Sequence, residues 1–516
     1  MFFRIKRSGP RQYLQIVENR WEEGRSKQRV IATLGRAEQL RDSGKLEALL
    51  ASGSRFSEKM AVLTQHRQGK LSAVESRSCG PSMIFGRLWD ETGCRKILEQ
   101  LLEQRRFEFP VERAVFLEVL HRLTDPGSDR ACYHWKDDHE IDGVEQLKLH
   151  HAYRAMAWLG EPLEDGENSS PDPGEETPSG SRCTKDRVEE LLFDRRRDLF
   201  SSLGLVFFDT TSIYFEGDGG EELGQRGYSK DKRPQLMQMI VGVVIDDQGT
   251  PICCQMWPGN TADVTTLLPV VDQLRERFGI SDICIVADRG MIQEKTLQAL
   301  EKRGIRYILG TKMRLQNEVR HEVLSRPGRY RVVEQERAGG KKPSPLEVKE
   351  VRVENRRYVV CRNAEQARKD ARDRDAILAT LEDRLSAGSV KSMVANRGYR
   401  RYLKTVTKGT LAIDAEKVEQ EARYDGKWVL RTNTELPSAE VALHYKQLWT
   451  VEHLFRDVKT LLSTRPIFHK CDDTIRGHVF CSFLALVLRH ELLRRLETSG
   501  VGHLEWGHPR HQERGR

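Results

Sequence analysis

The sequence predicts an α/β protein whose mixed-sheet core is interrupted by a β-rich insertion and preceded by a small basic β module and a helical domain. Three observations carry this reading. Leu205 to Phe215 (LVFFDTTSIYF) is a buried-strand composition of apolar, β-branched and aromatic residues, broken by one acid. From there to Leu309 the apolar patterns run strand, strand, strand, helix, strand, helix, strand. Between Ile84 and Leu159 the apolar residues recur instead at spacings of three and four, the period of helices packed on one face.

Composition bounds the rest. The chain has 516 residues, 38% hydrophobic and 31% charged, which describes a rather polar globular protein with room for roughly two to four domains. A net charge of +8 suits a nucleic-acid partner and suits solubility equally. The N-terminus MFFRIKRSGPRQ is charged within four residues and lacks the apolar stretch of a secretory signal. The longest apolar run, Val479 to Leu488, is too short to span a bilayer, so a cytoplasmic protein without a membrane partner is expected. Ten Cys occur without a Cys-x-x-Cys pair, and Cys253 and Cys254 sit adjacent in a strand pattern; they read as reduced core thiols, with no zinc site indicated.

Taken in order, residues 1–50 form a basic module. Its first 45 residues hold eleven Lys or Arg against five acids, and Tyr13–Val17 and Arg29–Leu34 read as two strands around a polar turn at Glu22 to Lys27. This suits a DNA-contacting hairpin and a solvated β unit equally well. Residues 80–160 are helical, with Asp125-Pro126-Gly127-Ser128 as a helix break, and could recognise DNA ends or only support the core. Residues 161–184 combine four Pro, three Gly and four Ser with seven acids, a composition that cannot bury a core and reads as a linker.

A helix, Val188 to Leu203, then leads into a first core segment, 200–311. Within it, Leu236–Ile245 and Thr250–Met256 read as a hairpin, Asp263–Phe278 as a helix despite Pro269, and Ile283–Ala287 as a short strand ending in Asp288-Arg289-Gly290. Gln293–Lys302 is the next helix and Arg306–Leu309 the next strand. If the strands bearing Asp209 and Asp288 are neighbours, both carboxylates emerge at one sheet edge, where they repel unless a cation joins them. Residues 312–430 read as a peripheral insertion, with strands at Arg329–Gln335, Leu346–Arg352, Arg357–Cys361, Tyr402–Lys404 and Trp428–Arg431 and a charged helix at Ala364–Leu385. Its basic stretch Gly339–Lys342 has no assigned chemistry.

The second core segment, 431–495, opens on a helix with Ser438 as expected N-cap, followed by a polar tail, 496–516. On that helix Tyr445, Leu448, Glu452, Phe455 and Lys459 recur at three or four, placing a Glu and a Lys in an apolar stripe. Taken alone, each acid reads as well as a turn residue, an ion-pair partner or a solvated edge. Together, Asp209, Asp288 and Glu452 form a set that Mg²⁺ would suit, since hard cations take carboxylates, water and phosphate oxygens. No competing phosphate loop, dinucleotide motif, His-Glu-x-x-His or Gly-x-Ser-x-Gly occurs.

Asp209-Thr210-Thr211, Gly227-Tyr228-Ser229-Lys230, Pro258-Gly259-Asn260-Thr261-x-Asp263, Ala287-Asp288-Arg289-Gly290 and Tyr445-x6-Glu452-x6-Lys459 stand in this order. The set resembles the DDE transposases of bacterial insertion sequences, in particular the branch with a Tyr-Arg-Glu-Lys helix signature and a β-rich insertion before the catalytic Glu. The basic module and Arg122-Leu123-x-Asp125-Pro126-Gly127-Ser128 extend the likeness over about residues 1–495. Leu448 departs from it, standing where the signature has Arg, so Arg456 or Lys446 would have to supply that phosphate contact. The tail ends where further helix is expected, which raises truncation.

The resemblance implies an RNase H-like catalytic core, with Asp209, Asp288 and Glu452 as catalytic residues holding Mg²⁺, or Mn²⁺ as substitute. It implies DNA contacts by Tyr445 and Lys459 near the cleaved bond, with Lys230, Arg289 and Arg456 alongside. Trp449 and Trp257 are expected in the core, with base stacking as the alternative. The partners implied are the inverted-repeat ends and target DNA, met by a homodimer in a synaptic complex in the nucleoid. Two other readings stay open: an RNase H-like metal-dependent nuclease without strand transfer, and a non-catalytic DNA-binding descendant.

Overall fold

A computed structural model of the chain describes residues 2–9, 11–22, 25–37, 40, 76–163, 182–197, 204–280, 282–333, 345–386, 396–407 and 410–500. The central part of the expected linker, the stretch Gly339–Lys342 and the tail beyond 500 lie outside the described residues. The chain forms two compact units, Met1–Arg77 and Ser78–Arg516.

The first unit contains an antiparallel sheet of β1 (Phe2–Ser8), β2 (Arg11–Glu22) and β3 (Arg25–Arg36), in that order. The sequence pattern predicts only two of these strands. The third, β1, is masked in sequence by Arg4, Lys6 and Arg7, whose charges alternate with Phe3 and Ile5 as in a strand with both faces wet. Gln15 is buried and links two strands: Arg4 Nη2 donates to Gln15 Oε1 at 2.9 Å and Gln15 Nε2 to Thr33 Oγ1 at 3.1 Å.

The second unit opens with helices α1 (Gly80–Thr92), α2 (Cys94–Leu102), α3 (Val111–Thr124), α4 (Asp129–Trp135), α5 (Leu149–Gly160) and α6 (Thr184–Arg196). The Asp-Pro-Gly-Ser break separates α3 from α4, and Ser128 Oγ caps α4 by accepting from Ala131 N at 3.2 Å. A mixed sheet follows, with β4 (Leu205–Tyr214), β5 (Gln238–Asp246), β6 (Pro251–Pro258), α7 (Asp263–Phe278), β7 (Cys284–Ala287), α8 (Glu294–Lys302) and β8 (Arg306–Gly310). These strands lie in the order β6-β5-β4-β7-β8, with β4, β7 and β8 parallel.

The insertion is not peripheral to this sheet. Its strands β9 (Arg331–Val333), β10 (Leu346–Val353), β11 (Arg356–Arg362) and β14 (Lys427–Thr432) continue it past β8 in the order β14-β11-β10-β9, giving nine strands. An exposed β8 edge would leave unpaired backbone groups, and β14 covers it. Between them lie helix α9 (Ala364–Ser386), the single turn α10 (Arg397–Arg400), the hairpin β12 (Leu403–Thr407) and β13 (Thr410–Ile413), and α11 (Ala415–Ala422). A strand pattern confined to Tyr402–Lys404 does not reach β13, a four-residue element.

Successive side chains of the central strands feed two cores. Val206, Phe208, Ile285 and Leu309 pack with α7 and α8, whereas Phe207, Ile213, Val286 and Ile308 belong to the core shared with the C-terminal helices. Those helices are α12 (Ser438–Gln447), α13 (Trp449–Arg456), a π-helical turn at Asp457–Leu461, and α14 (Asp472–Thr498). The apolar run Val479–Leu488 is the buried centre of α14, and no helix among the described residues is long and apolar enough to cross a membrane. Glycine lets α14 approach α5: a Cβ at Gly477 would meet the Met156 carbonyl at 1.9 Å, and one at Gly160 the Asp473 carbonyl at 2.0 Å.

The single long helix expected after Pro437 is thus two helices and a π turn. Pro437, not Ser438, occupies the N-cap, and Ser438 Oγ donates instead to Glu350 Oε2 at 2.8 Å on β10.

Candidate active site

Register brings the two aspartates together. The parallel pairing of β4 with β7 ends at Phe208 and Ala287, and Asp209 and Asp288 are the next residue on each strand. By alternation both follow the parity of Phe207 and Val286, whose side chains join the core shared with α12 and α13. Asp209 is the one partly exposed position in the middle of an otherwise buried strand. Its Oδ1 accepts from Thr210 N at 2.7 Å. Burial pushes the Asp209 carboxyl up to about 6, Lys230 opposes this, and Asp288 and Asp263 add to it.

The C-terminal helices meet the same edge. Tyr445 of α12 donates its hydroxyl to Asp288 Oδ1 at 3.0 Å, and burial, with Asp288 second, holds that phenol far above its ordinary range. Space for the phenol depends on Gly310 at the end of β8, where a Cβ would lie 2.3 Å from the Tyr445 oxygen. Glu452 lies on α13, which packs against β4, and its carboxylate is exposed. It contributes to the negative potential that raises Tyr445. Asp209, Asp288 and Glu452 do not close to within 4.8 Å of one another as a set. Three like charges repel, and a cation between them would offset that repulsion.

The remaining candidates divide by exposure. Arg289 and Arg456 are exposed. Lys230 is turned inward: its Nζ donates to Thr210 O at 2.7 Å and Thr210 Oγ1 at 2.8 Å and pairs with Asp263 Oδ2 at 3.1 Å. Lys459 donates to Asp231 Oδ1 at 2.9 Å, and burial lowers its pKa despite that partner. The even stripe expected from Tyr445 to Lys459 is therefore divided. Leu448 and Phe455 are core residues, Glu452 faces solvent and the π turn carries Lys459 to Asp231. Leu448, at the signature's Arg position, is 5% exposed at the junction of the helices and makes no polar contribution. Trp257 is core, but Trp449 is 52% exposed and edge-on to His453, which corrects the expectation of a buried Trp.

Two further acids belong to this region and escape the sequence-based set of site residues. Asp263, first residue of α7, accepts from Thr210 Oγ1 at 2.7 Å and so ties the Lys230 loop to β4. Its signal is present in the Pro-Gly-Asn-Thr-x-Asp motif. Asp231 binds Lys459 and Arg465 together, a pairing 228 residues apart in sequence that no local pattern reports. Tyr228, beside Lys230, is 85% exposed, a large aromatic surface next to the acids' loop. A cavity of about 680 Å³ lies elsewhere, by Glu294, Arg356, Arg357 and Arg431, and its arginines are engaged by acids such as Glu350 at 2.8 Å and Glu294 at 3.3 Å.

A family described as the transposase DDE domain matches residues 201–488, and one described as the IS1634 family transposase N-terminal domain matches residues 3–66. No curated protein matches the chain.

Proposed function

The chain belongs to the transposase DDE domain family, and from that premise we propose that it binds the terminal inverted repeats of an insertion sequence, cleaves DNA at those ends and joins the 3′ hydroxyls to target DNA. The observation that carries this is the adjacency of Asp209 and Asp288, each the residue that follows the last parallel β4–β7 pair, on the face where α12 and α13 pack.

The acids suit a divalent cation. Asp209 is driven up by burial and by two neighbouring carboxylates, a situation that a dication relieves better than a proton at neutral pH. Asp209, Asp288 and Glu452 would hold Mg²⁺, or Mn²⁺ in its place. When bound, the ion supplies Lewis-acid activation of the attacking hydroxyl and neutralises charge on the leaving oxygen. The chain's own residues prepare that place. Tyr445 fixes the rotamer of Asp288 through its hydroxyl, and Lys230 with Asp263 fixes Thr210 and hence the backbone that carries Asp209. Arg289 and Arg456, both exposed, offer charge to the DNA backbone. Lys459 reaches phosphate by exchanging Asp231 for it. The acting species is a homodimer that synapses two ends in the nucleoid.

The test is an assay with linear DNA carrying the inverted repeats that flank the gene, a target plasmid and Mg²⁺. Expected are cuts at the ends and covalently joined product, both absent in EDTA. Cuts without joined product would identify a nuclease, and binding without cuts a non-catalytic descendant. Removing residues 1–45, with eleven basic side chains, should weaken end binding and flatten its salt dependence, by about 0.9 in log–log slope for each phosphate that is no longer neutralised. An unchanged slope would leave the module a structural role only.

A further inference from the structure

Remote in sequence from the sheet-edge acids, three side chains bring ligand atoms within 4.8 Å of one another: Asp129, His469 and His478. They come from different elements. Asp129 is the first residue of α4, His469 lies in the segment leading to α14, and His478 is inside α14. His469 Nε2 is 3.1 Å from Asp129 Oδ2 and 3.2 Å from His478 Nδ1, and His478 Nδ1 is 3.8 Å from Asp129 Oδ1. A tetrahedral zinc with bonds of ~2.0–2.1 Å has ligand-to-ligand edges of ~3.3–3.4 Å. The two edges that meet at His469 Nε2, 3.1 Å to Asp129 Oδ2 and 3.2 Å to His478 Nδ1, lie just under that value, and a small outward shift of the side chains opens them to it.

The surroundings orient the donors. His478 Nε2 lies 3.3 Å from the Thr464 carbonyl, which can only accept, so Nε2 carries the proton and the Nδ1 lone pair faces the cluster. A ring N–H donated to a backbone carbonyl is the usual outer support of a metal-ligating imidazole. Burial, and then the charge of Arg122, keeps His478 neutral well below its ordinary range, at about 3. Arg122 Nη2 donates to His478 Nδ1 at 3.1 Å, but its other terminal nitrogen is held by the Glu118 carbonyl at 2.9 Å and Oε2 at 2.7 Å. The same Nη2 lies 3.5 Å from Asp129 Oδ1, so metal binding has to move this nitrogen off both ligands while Glu118 keeps the guanidinium paired.

We propose that Asp129, His469 and His478 form a binding site for a first-row dication of the Zn²⁺ class, with water as fourth ligand, that pins α4 to the C-terminal helix. Two imidazoles and one carboxylate favour Zn²⁺ over Mg²⁺, which takes oxygen ligands in an octahedron. The site is independent of Asp209, Asp288 and Glu452. The competing account is a closed hydrogen-bond network, His469 to Asp129 and Arg122 to His478, with no metal.

Co²⁺ added to the full-length protein, stripped with EDTA and exchanged into buffer, reports directly. Expected is one tetrahedral Co²⁺ per chain, counted by its intense visible bands, which Zn²⁺ abolishes and Mg²⁺ does not. His469→Gln, at a half-buried position outside any helix, and Asp129→Asn should each weaken Co²⁺ binding by about tenfold or more. Asp209→Asn and Asp288→Asn should leave it unchanged. Weak octahedral bands without the tetrahedral ones, a sulfur-to-cobalt band showing cysteine ligation, or full tetrahedral-band affinity in His469→Gln would overturn the assignment. The wild-type spectrum decides the matter even if a variant fails to fold.

Discussion

Asp209→Asn, Asp288→Asn and Glu452→Gln are each expected to lower metal-dependent cleavage at the element's ends by about a hundredfold or more, while binding to those ends stays within a few-fold of wild type. Each change removes the negative charge of a proposed metal ligand and keeps the shape. Asparagine at 209 can still accept from Thr210 N, and asparagine at 288 can still accept from Tyr445, so local structure survives. On the proposed reading, binding rests on other groups, chiefly basic side chains such as the exposed Arg289 and Arg456. Gel-shift titration beside a cleavage time course separates the two. Cleavage by any one variant at more than a few per cent of wild type would remove that residue from the catalytic set.

The largest stability effect is expected where α7 packs against α6. Arg277 on α7 pairs with Asp186 at 3.1 Å, Glu189 at 2.7 Å and Glu190 at 2.9 Å, all on α6, with every one of these side chains at most 8% exposed. Lys185 joins them, donating to Asp186 Oδ1 and the Cys254 carbonyl. Taking the arginine away strands buried carboxylates, so Arg277→Met should lower unfolding free energy by about 3–5 kcal/mol. The urea midpoint falls while its slope is unchanged. Burial alone would raise Asp186, but Lys185 and Arg277 outweigh it and hold the carboxyl below its ordinary range. A depressed carboxyl contributes stability above its unfolded pKa and loses it as pH falls through the folded value. The Asp186 part of acid sensitivity should therefore shrink in Arg277→Met. A loss under 1 kcal/mol would mean that Lys185 compensates the acids by itself.

How far sequence reaches can be traced residue by residue. Asp209 and Asp288 are legible because a lone acid in or just after a buried apolar strand is chemically expensive. Their adjacency follows from the order of strands and helices, which admits few topologies. Glu452 and Lys459 look equivalent on a regular helix, but the π turn at Asp457–Leu461 breaks the 3.6-residue period, and one faces solvent while the other pairs with Asp231. Partners such as Arg277 with α6 depend on tertiary packing alone. The insertion strands are mostly visible in the pattern, yet nothing in β14 announces that it pairs with β8. Composition places Trp449 in the core, whereas its helix position turns it outward.

Melting of wild type and Asp209→Asn in EDTA and in Mg²⁺ tests the central claim that these acids share a cation. Asp209 has a folded pKa of about 6, above its ordinary 3.8, so its contribution to stability is present at low pH and lost as pH rises through about 6. In EDTA above neutral pH, Asp209→Asn should melt higher than wild type, with the gap closing toward about pH 4 as Asp209 takes up its proton in both folded and unfolded chains. In Mg²⁺ the order should narrow or reverse, because the native state gains stability as the logarithm of the ion's excess over its dissociation constant and the variant binds it more weakly. A variant that melts below wild type in EDTA and responds equally to Mg²⁺ would show that Asp209 is a structural residue and that the cation, if any, is held elsewhere.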